Sequence, residues 1–161
     1  LLGCIVDELA LTGQEILVDA YCGIGTLTLP LARRVDKAFG IEVQQEAVET
    51  AQENTKLNGI KNARFQAGSV ASLLPKVTER FGRAPDVVLL DPPRKGCQDS
   101  VLSTLVEMRP ARIVYMSCNP ATLARDLKQL CGPGGYQLRH VQPADFFPQT
   151  AHVECVAFLV A

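Results

Sequence analysis

Cys118 and Glu154 are the two side chains of this sequence whose types and surroundings best suit covalent chemistry. Cys118 lies in IVYMSCNPATLARDL, between an apolar run, Ile113 to Met116, and a helical pattern. Such a strand-to-helix junction is where α/β proteins place their chemistry. The partial positive charge at a helix start also favours a thiolate. The plainer reading makes Cys118 a small buried hydrophobe. Glu154 lies in the apolar run HVECVAFLV, flanked by Val153 and Cys155. A carboxylate enclosed in that way would suit proton acceptance, and the plainer reading is a strand residue with a partner elsewhere. Asp91 follows the apolar stretch DVVLL in LLDPPRKG, where two prolines stiffen the turn and Arg94 and Lys95 project from it.

A second set of residues suits a small-molecule ligand. In DAYCGIG, glycines at 23 and 25 sit between a strand and a helix and let a backbone approach a ligand. A dinucleotide fingerprint would need a third glycine where Thr28 stands, and no phosphate-loop GK[ST] follows. Asp19, just before the turn, would repel a diphosphate. Glu42 falls at the end of the next strand, the position from which a carboxylate accepts ribose hydroxyls in a wound sheet. Read separately, Asp19 is a turn residue and Glu42 a solvated helix start. Read together with the glycines, they fit S-adenosylmethionine: an adenosine to hold, a sulfonium to tolerate and no phosphate to cradle.

The elements that must position these residues alternate. Strand signals occur at Ile16 to Ala20, Lys37 to Ile41, Ala63 to Gln66, DVVLL and RIVYM. Helical patterns follow at Thr26 to Arg34, Gln44 to Leu57, Ser72 to Arg80, QDSVLSTLVEM and ATLARDLKQLC. Alternation of this kind predicts an α/β domain with a mostly parallel sheet. Pro30 is tolerable only near the first turn of its helix. The last two runs, YQLRHVQPA and HVECVAFLV, are joined by DFFPQT, too short for a helical crossover, so they should pair antiparallel. Leu2, Ile5, Val6 and Leu9 repeat with helical spacing from the first residues, which reads as a piece of a longer protein.

With 161 residues and 47% hydrophobic content, one domain spanning residues 1–161 can bury a substantial core. Six scattered cysteines without a CxxC pair favour a reduced, cytoplasmic setting. Two histidines and isolated thiols provide no metal-ligand spacing, so no metal is expected. Charges interrupt every apolar stretch short of the roughly 20 residues a membrane span needs. A net charge of −1 carries no signature of nucleic-acid binding.

DAYCGIG, LDPPRKG, IVYMSCNPATLARDL and DFFPQTAHVECV together resemble the catalytic domain of the RNA uracil-5-methyltransferase family over nearly the whole chain. The SCNP and FPQTxHVE stretches are the distinctive ones. The resemblance implies a Rossmann-like class I methyltransferase domain with a seven-strand sheet and an antiparallel C-terminal hairpin. It implies S-adenosylmethionine as cofactor and RNA as partner, ribosomal more than transfer RNA on the IVYMSCNPATLARDL segment. It also implies RNA-binding segments upstream of Leu1. Cys118 then matches the nucleophile and Glu154 the general base. Asp91 matches an acidic residue at the cofactor–uracil junction, and Arg94 a residue supporting the substrate side. Tyr21, Gly23 and Glu42 match cofactor contacts, while Ser69 stands where the family usually has Asp or Asn near the adenine. His152, Cys22 and Cys155 read as structural, and Cys97 and Cys131 as loop or helix-end residues.

The chemistry asks for these residue types. C5 of uracil is a poor nucleophile, and thiolate addition to C6 makes an enolate able to attack a methyl sulfonium. A carboxylate must then remove the C5 proton so that the thiol leaves. Two other classes fit parts of the sequence. An amino-group methyltransferase could use the DPP turn, although Arg94 occupies the aromatic position of the [DN]PP[YF] loop. A non-catalytic cofactor-binding module would need only the first half.

Overall fold

The computed structural model describes residues 1–146, 148–150 and 153–161. In chain order its elements are α1 (Leu2–Leu9), β1 (Ile16–Asp19), α2 (Thr28–Ala32), β2 (Lys37–Glu42), α3 (Gln45–Leu57), β3 (Ala63–Ala67) and α4 (Val70–Leu73). A 3-10 turn (Leu74–Lys76) leads to α5 (Val77–Phe81), β4 (Val87–Leu90), α6 (Asp99–Met108), β5 (Arg112–Ser117), α7 (Pro120–Cys131), β6 (Gln137–Ala144) and β7 (Glu154–Val160).

The strands form one sheet in the order β3-β2-β1-β4-β5-β7-β6. The first five run parallel, β7 is antiparallel to β5, and β6 is antiparallel to β7. The expected terminal hairpin is therefore present, with β7 inserted between β5 and β6. Chain order reverses between β1 and β4, and the crevice at the carboxyl ends of those strands is where wound sheets bind ligands.

Strand alternation feeds a core on each face. Val87 and Leu89 of β4 pack with Ile5, Leu9, Leu31 and Ala51 from α1, α2 and α3. Val88 and Leu90 pack with Val101, Leu105, Leu123 and Leu130 from α6 and α7 on the other face. Burial on both faces is why VVLL is uninterrupted by polar residues. The edge strand β6 leaves Leu138 and Val141 exposed. No helix among the described residues is long and apolar enough to cross a membrane.

Two helices differ from the pattern read in the sequence. The expected helix from Ser72 to Arg80 is broken into α4, a 3-10 turn and α5. Pro75 has no amide to donate, and its ring crowds the preceding turn. The helix expected from Thr26 shortens to Thr28–Ala32, which leaves Pro30 inside the first turn where it is tolerated.

Candidate active site

The segment after β1 turns sharply because Gly23 adopts a positive φ of 51°, a conformation costly for residues with a Cβ. Its amide donates to Glu42 Oε2 at 3.1 Å, while Glu42 Oε1 accepts from the Gln44 amide at 3.0 Å. The carboxylate ending β2 is thus fixed by backbone donors on both oxygens. Asp19, at the end of β1, is 2% exposed and accepts from Thr28 Oγ1 at 2.6 Å. Burial, reinforced by the charges of Asp91 and Glu42 against the Thr28 bond, pushes its carboxyl up to about 7.

Two cavities share Tyr21 and Asp91 as walls. The larger, about 510 Å³, is also lined by Glu42, Val43, Ser69 and Pro92. The smaller, about 150 Å³, is lined by Asp19 and Gly23 as well. Every residue expected to hold the cofactor therefore borders one of the two. Ser69 does so while capping α4, its Oγ accepting from the Ser72 amide at 3.3 Å. Carboxylates dominate the charged lining, with Lys95 the one cation among the lining residues of the two cavities. That donor set suits a cationic ligand with hydroxyls and disfavours a phosphate. A larger hollow of about 880 Å³ between α1, α2 and α3 contains none of the candidate side chains.

Asp91 follows β4 directly and keeps accessible surface because it faces these cavities. Enclosure by the surrounding protein still withholds bulk water. That desolvation, and then the charge of Glu154, push its carboxyl up to about 6. The charge of Glu154 therefore reaches Asp91 across β5.

Cys118 lies between the last residue of β5 and the cap of α7. Ser117 Oγ accepts from the Asn119 amide at 3.1 Å and donates to its carbonyl at 3.0 Å, closing the turn around the cysteine. Asn119 caps α7 through Oδ1 on the Ala121 amide at 3.1 Å, and Pro120 occupies the first turn. Cys118 is half-buried and one residue outside the cap. Burial pushes the thiols of Cys22, Cys97, Cys131 and Cys155 up, away from the thiolate form.

Strand register brings the last residue in. The β5–β7 register ends with Ser117 opposite Cys155, so Cys118 and Glu154 adjoin that last pair at the same end of the sheet. Glu154 is the first residue of β7 and half-buried, at the open end of the sheet. The enclosure expected for it from the apolar run applies only from Cys155 onward, because the strand begins at Glu154 itself. Neither Cys118 nor Glu154 lines the two cavities; they lie beyond Asp91, on the next strands. Arg94 is exposed, with its carbonyl held by Asn119 Nδ2 at 3.3 Å and Thr122 Oγ1 at 3.2 Å. His152 lies outside the described residues. Among the described residues no three His, Cys, Asp or Glu side chains are grouped to hold a metal.

Three residues beside the site carry no signal in the motifs. Tyr115, Cys97 and Asp126 form a buried polar cluster, in which Cys97 is, as expected, a loop residue. Asp126 had one available sign: an acid on the apolar face of α7, between Leu123 and Leu130.

A family profile described as tRNA (Uracil-5-)-methyltransferase matches residues 3–161. The chain is 59% identical over 160 residues to an uncharacterized RNA methyltransferase of Nostoc sp., covering 99% of this chain and 34% of the relative. It is 57% identical over 155 residues to an uncharacterized RNA methyltransferase of Enterococcus faecalis, covering 96% and 34%. It thus spans about a third of the length of the curated relatives it matches. The Pyrococcus abyssi tRNA (uracil-54, C5)-methyltransferase, solved with S-adenosyl-L-homocysteine, superposes with a TM-score of 0.80 at 34% identity, over 99% of this chain and 38% of that one. A Streptococcus thermophilus rRNA methylase shares the fold, with a TM-score of 0.74 at 15% identity. The sheet order, the switch-point cavities and this match agree: the chain belongs to the tRNA (uracil-5-)-methyltransferase family.

Proposed function

We propose that this domain transfers a methyl group from S-adenosylmethionine to C5 of a uridine in RNA through a covalent Cys118 adduct. The observation that supports this reading is the β5–β7 register, whose last pair, Ser117 and Cys155, is adjoined by Cys118 and by Glu154, the carboxylate whose charge acts on Asp91 at the cavity wall. Glu42 is oriented toward ribose hydroxyls, and Asp19 and Asp91 supply negative charge for the cationic end of the cofactor. Tyr21, Gly23 and Ser69 complete the walls. The bound cofactor supplies an electrophilic methyl group. Cys118 Sγ would bond to C6 of the base, and the nucleophilic carbon left at C5 would take the methyl group as its bond to the cofactor's sulfonium sulfur breaks, with S-adenosylhomocysteine as the leaving group. Glu154 then takes the C5 proton, the C6–S bond breaks, and its electrons return to sulfur as thiolate. Arg94 supports the substrate side. The base must leave its stack to reach both groups.

Ribosomal RNA is the substrate class supported by the IVYMSCNPATLARDL segment. Transfer RNA is the second reading, supported by the named activity of the Pyrococcus abyssi protein. The proposed setting is cytoplasmic, in keeping with six unpaired thiols. The test incubates the full-length protein, labelled cofactor and separate ribosomal and transfer RNAs, then analyses nucleosides. The reading expects 5-methyluridine, from ribosomal RNA first, and none from a Cys118→Ala variant. A methylated exocyclic amine would replace it with the amino-group reading.

A further inference from the structure

The loop from Asp91 to Gln98 carries two candidate site residues but has little backbone structure of its own. Pro92 and Pro93 lack amides, and one internal turn bond joins the Gly96 amide to the Pro93 carbonyl at 2.8 Å. Further backbone groups of the loop are met from one face of α7 and its cap. Asn119 and Thr122 donate to the Arg94 carbonyl, and Arg125 Nη2 donates to the Lys95 carbonyl at 3.0 Å. Asp126 Oδ2 accepts from the Cys97 amide at 2.9 Å. Residues 119, 122 and 126 recur at the spacing that stacks side chains on one side of a helix.

Asp126 is the hub of this seam. It is 0% exposed, accepts from Tyr115 Oη at 2.5 Å through the same Oδ2, and accepts from Arg125 Nε at 2.8 Å through Oδ1. Cys97 in turn receives the Tyr21 hydroxyl on its sulfur at 3.9 Å, which joins a wall of both cavities to the cluster. The loop approaches so closely that a Cβ on Gly96 would lie 2.6 Å from both Arg125 Nη2 and Asp126 Oδ2. Burying a carboxylate whose cationic partner is 55% exposed is a poor route to stability alone. An apolar side chain would pack between Leu123 and Leu130 without that desolvation cost.

We propose that Asp126 is a positioning residue, clamping the loop of Asp91 and Arg94 onto the helix that Cys118 precedes, so that the cofactor and substrate halves of the site keep one spacing. This rests on the functional reading above. Asp126→Asn keeps the shape but loses the charge and turns one acceptor into a donor facing another donor.

The full-length Asp126→Asn protein should lose about tenfold or more in kcat, because small displacements of reacting groups are that costly. Its KM for S-adenosylmethionine should stay within about threefold, since binding contacts are retained. An unchanged kcat overturns the proposal. So does a matching fall in kcat, cofactor affinity and melting temperature, the mark of general destabilisation. Iodoacetamide labelling of Cys97, read by mass spectrometry without RNA, separates this claim from the functional reading. Faster labelling of the variant at an unchanged melting temperature upholds the clamp even if the parent proves unable to methylate uridine, which would remove the reading alone. Unchanged labelling overturns the clamp whatever the parent does. Tyr115→Phe removes one donor from the same carboxylate and decides by the same readouts should Asp126→Asn not fold.

Discussion

At Glu154 the proposed reaction makes one specific demand: a proton must leave C5 after the carbon–carbon bond has formed. Attack by Cys118 does not need that carboxylate, and departure of the thiolate does. Glu154→Gln should therefore add to the base, methylate it and stop, accumulating a protein–RNA complex that survives denaturation. A denaturing gel with labelled RNA reads the outcome. Normal turnover by the variant, or no adduct despite binding of RNA and cofactor, would assign the proton to another group. Asp91, whose carboxyl is pushed up to about 6 by enclosure and by Glu154, is then the next candidate.

Among the elements, β2 shows how tightly the cofactor turn is fitted to the sheet. Gly40 pairs with Asp19 on one side and Phe65 on the other. A Cβ there would lie 2.4 Å from Phe65 Cδ1 and 2.7 Å from Cys22 Sγ. Gly40→Ala should cost about 1–3 kcal/mol through overpacking and weaken cofactor binding by moving the turn after Asp19. Chemical denaturation with calorimetric titration checks both, and an unchanged unfolding midpoint would contradict the fit. Most elements were legible because burial writes a local period: VVLL for a strand covered on both faces, Asn119-Pro120 for a helix start. The insertion of β7 between β5 and β6 was not legible. Strand order is a long-range outcome, and the same alternation fits an edge or a central position. That order alone brings the ends of β5 and β7 beside Cys118 and Glu154 together, so their partnership rests on the resemblance and not on spacing. Asp126 carries only a weak signal, because an acid on an amphipathic helix ordinarily faces water.

For the molecule as a whole, charge couples ligand and proton. Asp19 is pushed from 3.8 to about 7, first by burial and then by Asp91 and Glu42. In the free protein a raised acid contributes stability that is full below 3.8 and is lost as pH rises through about 7. A cationic ligand favours the carboxylate, so binding releases a proton and affinity for S-adenosylmethionine should rise with pH toward about 7, then level off. Titration calorimetry from about pH 5.5 to about 8.5 in buffers of different ionisation enthalpy detects both effects. A flat affinity with no proton release would remove Asp19 from the cationic end of the ligand. RNA is a separate matter, because its affinity rests largely on phosphate neutralisation. Sixteen lysines and arginines against seventeen acids leave this chain without a cationic surplus. The 161-residue chain alone should therefore bind a uridine-containing hairpin weakly. Tight binding at moderate salt would place the RNA surface within it.

Covalent attack of Cys118 on uracil is tested by trapping with RNA that carries 5-fluorouridine. Fluorine replaces the proton that Glu154 must remove, so the adduct cannot resolve. The full-length protein with S-adenosylmethionine should form a denaturation-resistant complex, and peptide mass spectrometry should place the methylated fluorouridine on Cys118. Methylation of ordinary RNA without any such complex, or an adduct on a different residue, would contradict the account.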